Sequence, residues 1–146
     1  MSPPDLVLLA YQVVERLTAH YTARLAELGL TRAEAKVLLV LEPGRQVLVS
    51  KVAERMWADR SNTTQLITRL TRRGLIERQP GEVAGLGDRR TRIVSLTPAG
   101  ESLRETLMAR TETGNPIYAD LSDAELRTLH TLLDRIERHA ASRAPG

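Results

Sequence analysis

SKVAERMWADRSNTTQLITRLTRRGLIER, residues Ser50 to Arg78, is the stretch on which the fold turns. Ser50 stands where a helix cap is wanted, and KVAERMWA after it reads as a short helix reaching about Trp57. Asp59 is placed to cap a second helix and Gly74 to end it in a left-handed turn. Two short helices with only a few residues between them predict a helix-turn-helix. Winding Arg60 to Gly74 at about 100° per residue gathers Thr63, Leu66, Ile67, Leu70 and Gly74 on one side, which must face a core. Ser61, Gln65, Thr68 and Arg72 fall opposite, flanked by Asn62, Thr64 and Arg69. That outer face carries hydroxyls, amides and arginines and no acid. Gln and Asn pair with adenine edges, Arg with guanine, and hydroxyls with bases or phosphates. An ordinary solvated helix face, the alternative, more often mixes Glu with Lys or Arg.

The flanks complete a pattern. LIERQ and TRIVSL are strand candidates, and PGEVAGLGDRR, with Gly81, Gly85 and Gly87, joins them as a hairpin with a long loop. Asp88, Arg89 and Arg90 sit at the tip of that loop, where none of them serves a core. Arginines at such a tip reach a narrow minor groove, whose concentrated negative potential suits a guanidinium. Asp88 would repel phosphate on its own, so its expected role is to hold a nearby arginine and fix its aim. A solvated surface ion pair is the alternative. After the hairpin, Thr97 caps and Pro98 opens a helix that runs to about Thr113. Before Ser50, QVLV is a short extended candidate. Thr31 and Glu34 form a capping box for a helix ending near Glu42, and Pro43–Arg45 stops it. Apolar spacing predicts a long first helix over Leu6–Leu28, ended by Gly29. A second capping box, Ser122 with Glu125, opens the last helix. There Leu126, Leu129, Leu133, Ile136 and Ala140 recur at alternating gaps of three and four, which is the seam of a coiled coil. Such a seam pairs with a second copy of the chain or packs on the first helix.

Composition narrows the function. A chain of 146 residues fits one domain. No stretch approaches a membrane span, and the N-terminus lacks the pattern of a signal peptide, so a cytoplasmic protein with no membrane partner is expected. With no cysteine there is no disulfide, thiolate metal site or thiol switch. Three Tyr, one Trp and no Phe argue against a single-strand binder that stacks bases on aromatic rings. Between Arg45 and Arg92 stand eleven basic and five acidic residues, a net of +6 within a chain of net +3. Such a local footprint suits nucleic acid. His20, His130 and His139 have no partner at ligand spacing, and no nucleophile–base pair or phosphate loop is present. Neither catalysis, a cofactor nor a metal is expected.

Residues 50–78, followed by DRRTRIVSLTPAGE at Asp88–Glu101, resemble the MarR family of bacterial transcriptional regulators, and the likeness extends over the flanking helices. The resemblance implies a mainly α fold with a small β-hairpin, a winged helix-turn-helix with flanking dimerisation helices. The whole of 1–146 is then a single MarR-like domain, with the winged helix at 31–97 and dimerisation helices at 1–30 and 98–146. It implies a homodimer that binds double-stranded DNA at a palindromic operator, most simply as a repressor, and is released by a small ligand or oxidant. The DNA-contacting set is Arg60, Ser61, Asn62, Thr64, Gln65, Thr68, Arg69, Arg72, Asp88, Arg89 and Arg90. The family assigns its paired acid and arginine roles to Asp88 and Arg90. The dimer set is Leu6, Val13, Leu126, Leu129, Leu133, Ile136 and Ala140. Tyr11, His20, Tyr21 and Arg24 on the first helix are candidates to line an effector pocket, ordinary packing being the alternative. Two features depart from the family: Trp57 stands where relatives often have glycine, and the loop after Gln79 is longer than the usual wing. The rival from another class is a winged helix that docks a protein or a ligand without DNA.

Overall fold

Several helices begin or end where local chemistry satisfies their free backbone groups. The computed structural model describes residues 2–56, 60–81 and 92–143, with the side chains of Arg60, Ser61, Ala141 and Arg143 outside that description. The elements run α1 (Pro3–Glu27), α2 (Arg32–Val40), β1 (Val47–Leu48), α3 (Val49–Met56), α4 (Arg60–Arg72), β2 (Ile76–Pro80), β3 (Arg92–Leu96), α5 (Pro98–Glu112) and α6 (Asp123–Arg143). Helix α1 closes at Gly29, where φ is +64°, with Leu30 N donating to the Leu25 carbonyl and Gly29 N to that of Ala26. Helix α4 closes in the same way at Gly74, φ +72°, with Leu75 N on Leu70 and Gly74 N on Thr71. Both are Schellman endings, which need a left-handed residue and so favour glycine. Thr31 and Glu34 form the expected capping box. Ser122 and Glu125 form another, with Ser122 N donating to Glu125 Oε2 at 2.8 Å. Hydrogen bonds from the Ser122 hydroxyl and backbone lower the Glu125 pKa. That support for α6 is complete at neutral pH and fades as acid protonates the carboxylate.

The hairpin lies where the sequence places it, and a third strand joins it. Strands β2 and β3 pair antiparallel from Ile76↔Leu96 to Pro80↔Arg92. The two-residue β1 adds to the other edge of β3 through Val47↔Val94 and Leu48↔Ile93, giving the order β1-β3-β2. The sheet is thus a three-stranded one rather than a hairpin alone. Ser50 is not a cap, because α3 already begins at Val49. Strand β1 runs into the helix without a loop, and buried Val49 anchors the junction. Helix α2 ends at Val40, short of Glu42, since Leu41 turns extended at ψ 127° while its side chain stays fully buried.

The chain divides into two compact units, Thr18–Thr111 and Met1–Leu17 with Glu112–Gly146. The first contains the winged helix together with the end of α1 and nearly all of α5. Its core joins Leu38 of α2 and Leu41 just past its end, Val52 and Met56 of α3, Ile67 and Leu70 of α4, Ile76 and Val94 of the sheet, and Leu107 of α5. Burial of each such side chain contributes about 1.5–3 kcal/mol. A joint locks α5 to this core. Thr97 Oγ1 accepts from Gly100 N at 3.1 Å and donates to the Gly74 carbonyl at 2.6 Å, while Thr97 N donates to Leu75 O. The Thr-Pro-x-Gly motif is therefore both the cap of α5 and the clasp between α5 and the end of α4.

The second unit is built differently. Every buried apolar core residue among those described lies in Thr18–Thr111. The second unit instead exposes Leu6, Val7, Leu8, Leu9, Val13 and Val14 on α1, and Leu132, Leu133 and Ile136 on α6. Of the expected dimer set, Leu126 and Leu129 are half-buried, while Leu6, Val13, Leu133, Ile136 and Ala140 are exposed in the single chain. No helix among the described residues is long and apolar enough to cross a membrane.

Candidate nucleic-acid interface

Helix α4 divides into the two faces its winding predicts, except that Gly74, expected on the core side, lies past the helix end and is exposed. Thr63, Leu66, Ile67 and Leu70 are buried, and Asn62, Gln65, Arg69 and Arg72 are exposed, with Thr64 and Thr68 between. Helices α2 and α3 brace this helix. Lys36 Nζ donates to the Met56 carbonyl at 2.8 Å, placing a cation at the negative end of α3. Arg55 Nη1 reaches the Val40 carbonyl at the end of α2 at 3.4 Å. Arg73, just past α4, donates to the Gly29 carbonyl at 3.0 Å and pairs with buried Glu34 at 3.3 Å. The end of α4 is thereby tied to the turn between α1 and α2. The neighbours Arg72 and Arg73 have opposite duties, the first facing out and the second holding the scaffold.

Arg69 and Arg72, exposed cations of α4, have no ion-pair partner among the described residues. Elsewhere Arg24 and Arg110 pair with Glu27, Arg45 with Glu42, Lys51 with Glu54 and Arg138 with Asp134. Gln65, Arg69 and Arg72 make no hydrogen bond or ion pair with any described residue. Among the described residues, no carboxylate pairs with them. Thr68 is more constrained than its place on the helix suggests. Its hydroxyl donates to the Thr64 carbonyl at 2.9 Å, so toward a base it can only accept. Arg60 and Ser61 lie in α4, but their side chains fall outside the described residues, as do Trp57 and Asp59 of the turn. Asp88, Arg89 and Arg90 also lie outside them, so the wing tip stays a reading of the sequence.

A groove of about 540 Å³ runs beside α4, lined by Arg32, Ala33, Lys36, Met56, Asn62, Gln65, Leu66 and Arg69. Sequence reading missed Arg32 and Lys36 because they lie some thirty positions from Gln65 and meet it only through the packing of α2 on α4. Three of the four effector candidates on α1 have internal partners. His20 Nε2 lies 3.2 Å from the Thr111 carbonyl, Tyr21 stands edge-on to His20, and Arg24 is paired with Glu27. Tyr11 belongs to the other unit and is exposed. No group of three His, Asp or Glu able to hold a metal exists among the described residues.

Comparison with known proteins places this architecture. The sequence model of the MarR family matches residues 28–85. YfiV, an uncharacterised HTH-type transcriptional regulator of Bacillus subtilis, is 38% identical over 71 residues, 49% of this chain and 42% of that protein. The match thus spans less than half the length of YfiV. A MarR-family transcriptional regulator from Rhodococcus sp. RHA1 has the same fold with a TM-score of 0.76 and 25% identity, covering 93% of this chain and 94% of the other. The fold is also that of a cysteine-to-serine mutant of Escherichia coli MarR, solved with operator DNA, at a TM-score of 0.72 and 23% identity over 90% of this chain and 93% of the other. Residues 28–85 thus match the MarR family, and the chain shares the winged helix-turn-helix fold of MarR-family transcriptional regulators.

Proposed function

We propose that this protein works as a homodimer on a palindromic operator, most simply as a repressor, with α4 reading the major groove and Arg90 anchoring the wing in the minor groove. The observation that carries the reading is the acid-less outer face of α4, where exposed Gln65, Arg69 and Arg72 have no hydrogen-bond or ion-pair partner among the described residues. A solvated face more often mixes Glu with Lys or Arg, whereas this face carries no acid. The solved E. coli relative bound to operator DNA supports the same reading. The exposed apolar residues of α1 and α6 support the dimer. A small-ligand effector acting through Tyr11, His20, Tyr21 and Arg24 is proposed from the family alone, and a thermal-shift screen of small aromatic acids tests it.

Two substitutions separate the reading elements. Gln65→Ala costs about 1–3 kcal/mol on the operator and relaxes preference at one position in each half-site. Its effect on random DNA is small, because phosphates hold random DNA. Thr68→Ala costs less, since the wild-type hydroxyl already has its donor committed to Thr64. Arg90→Ala weakens both kinds of binding and flattens the salt dependence, most where the flanks are A·T-rich. Titration against operator and scrambled duplexes at several salt concentrations measures all three. Equal loss on both duplexes for Gln65→Ala would remove α4 as the reader.

The absence of cysteine also makes a prediction. Of the methionines other than Met1, Met56 is buried, and Met108 is 39% exposed with its Sδ 3.3 Å from Arg104 Nη1. Stoichiometric peroxide therefore leaves DNA binding intact over minutes. Rapid release that dithiothreitol reverses would contradict this.

A further inference from the structure

The groove between α2 and α4 carries more than a flank of the reading helix. We propose that Arg32 and Lys36 of α2, with Arg69 of α4, form a clamp for the phosphate backbone of the DNA strand beside the base-reading face. The inference rests on the DNA-binding reading above and assigns to α2 a role that the sequence did not suggest.

Three features point to a polyanion. Arg32, Lys36 and Arg69 converge on the groove together with the amides of Asn62 and Gln65, and no carboxylate lines it among the described residues. The one acid of α2, Glu34, is turned inward, where it is buried and holds Arg73 and the Thr31 backbone. It therefore does not offset Arg32. Arg32 is exposed and makes no hydrogen bond or ion pair with any described residue. Lys36 spends one donor on the Met56 carbonyl and has two more. Arg32 and Lys36 stand one turn apart on the same face of α2, so their charges form a line along the groove wall.

Continuity makes the occupant a DNA strand. Asn62, Gln65 and Arg69 are both the opposite wall of the groove and one edge of the reading face. A strand whose bases meet Gln65 must carry its phosphates past one flank of α4. On the α2 side the cations are already in place. Contacts of this kind fix register and orientation and carry no sequence information.

The test uses the protein and its Arg32→Ala variant, since Arg32 has no partner to lose among the described residues. Its affinity should fall about tenfold per half-site at 0.1 M salt, and the slope of log K against log salt should drop by about 1 per half-site. The loss should be equal on operator and scrambled duplexes, with base preference unchanged. Lys36→Arg, which keeps the charge, should bind within about twofold of wild type. A wild-type protein that binds its operator while Arg32→Ala matches it in affinity and salt slope overturns the clamp and leaves the reading by α4 standing. Wild type that binds no duplex overturns both. Unchanged DNA binding by Arg32→Ala, with loss of a thermal shift that wild type shows in inorganic pyrophosphate, makes the groove a small-anion site and also overturns the proposal.

Discussion

Gly100→Ala is expected to lower the thermal midpoint by roughly 10 °C, corresponding to about 3 kcal/mol of lost stability. Two opposed effects decide this. Gly100 lies in the first turn of α5 at an ordinary helical position, so alanine alone would favour the helix by about 1 kcal/mol. A Cβ there, however, would overlap the Leu75 carbonyl oxygen and come within 3.0 Å of its carbon. Those atoms are backbone, held by Thr97 N on Leu75 O and by the Schellman ending of α4 at Gly74. They have no rotamer through which to yield, so the helix must move off the core or the clasp must open. The clash outweighs the propensity. Thermal unfolding followed by circular dichroism measures it, with Ala99→Gly at the exposed neighbour as the reference for helix propensity alone. A Gly100→Ala variant as stable as wild type would remove the close approach of α5 to Leu75.

Leu133→Asp and Ile136→Asp are each expected to break the proposed dimer, raising its dissociation constant by about a thousandfold or more. Both side chains are more than half or about half exposed in the single chain, at 62% for Ile136 and 50% for Leu133. The isolated chain therefore loses little from either charge. In a two-fold dimer each substitution occurs twice and places an unpaired carboxylate in a seam that excludes water, and burying such a charge costs several kcal/mol. Leu132 and the exposed apolar run on α1 would remain uncovered, so the released chains should also bind hydrophobic dyes. Sedimentation at micromolar concentration reads the result. Wild type that sediments as a folded monomer, or variants that stay dimeric, would contradict the assignment of this face.

Much of this was readable from residue types in register. The buried and exposed faces of α4 follow from helical winding, because Thr63, Leu66, Ile67 and Leu70 fall on one side and only one side can be buried. The stops at Gly29 and Gly74 were legible because a left-handed ending favours glycine. Ser50 misled for a tertiary reason. A good cap residue is overruled where β1 feeds straight into α3 and Val49 is pulled into the core. Strand β1 has only Val47 and Leu48, and its existence depends on the edge of β3, which lies far along the chain. Gly100 was visible as part of a motif, but its reason was not, since Leu75 O reaches it only after α4 and α5 are clasped. Of the interface, the α4 residues were found from periodicity. Arg32 and Lys36 were not, because what makes them a site is the placement of α2 against Gln65 and Arg69.

The central claim is that α4 reads the sequence of double-stranded DNA. Selection of randomised duplexes by the wild-type protein at 0.15 M salt tests it most directly. The enriched duplexes should share two half-sites related by two-fold symmetry, spaced by about one helical turn or a multiple of it. Titration should show them bound about a thousandfold or more tighter than a scrambled duplex. A pool that emerges unenriched, with equal affinity for every duplex or for none, would contradict the account and leave a winged helix that serves another partner.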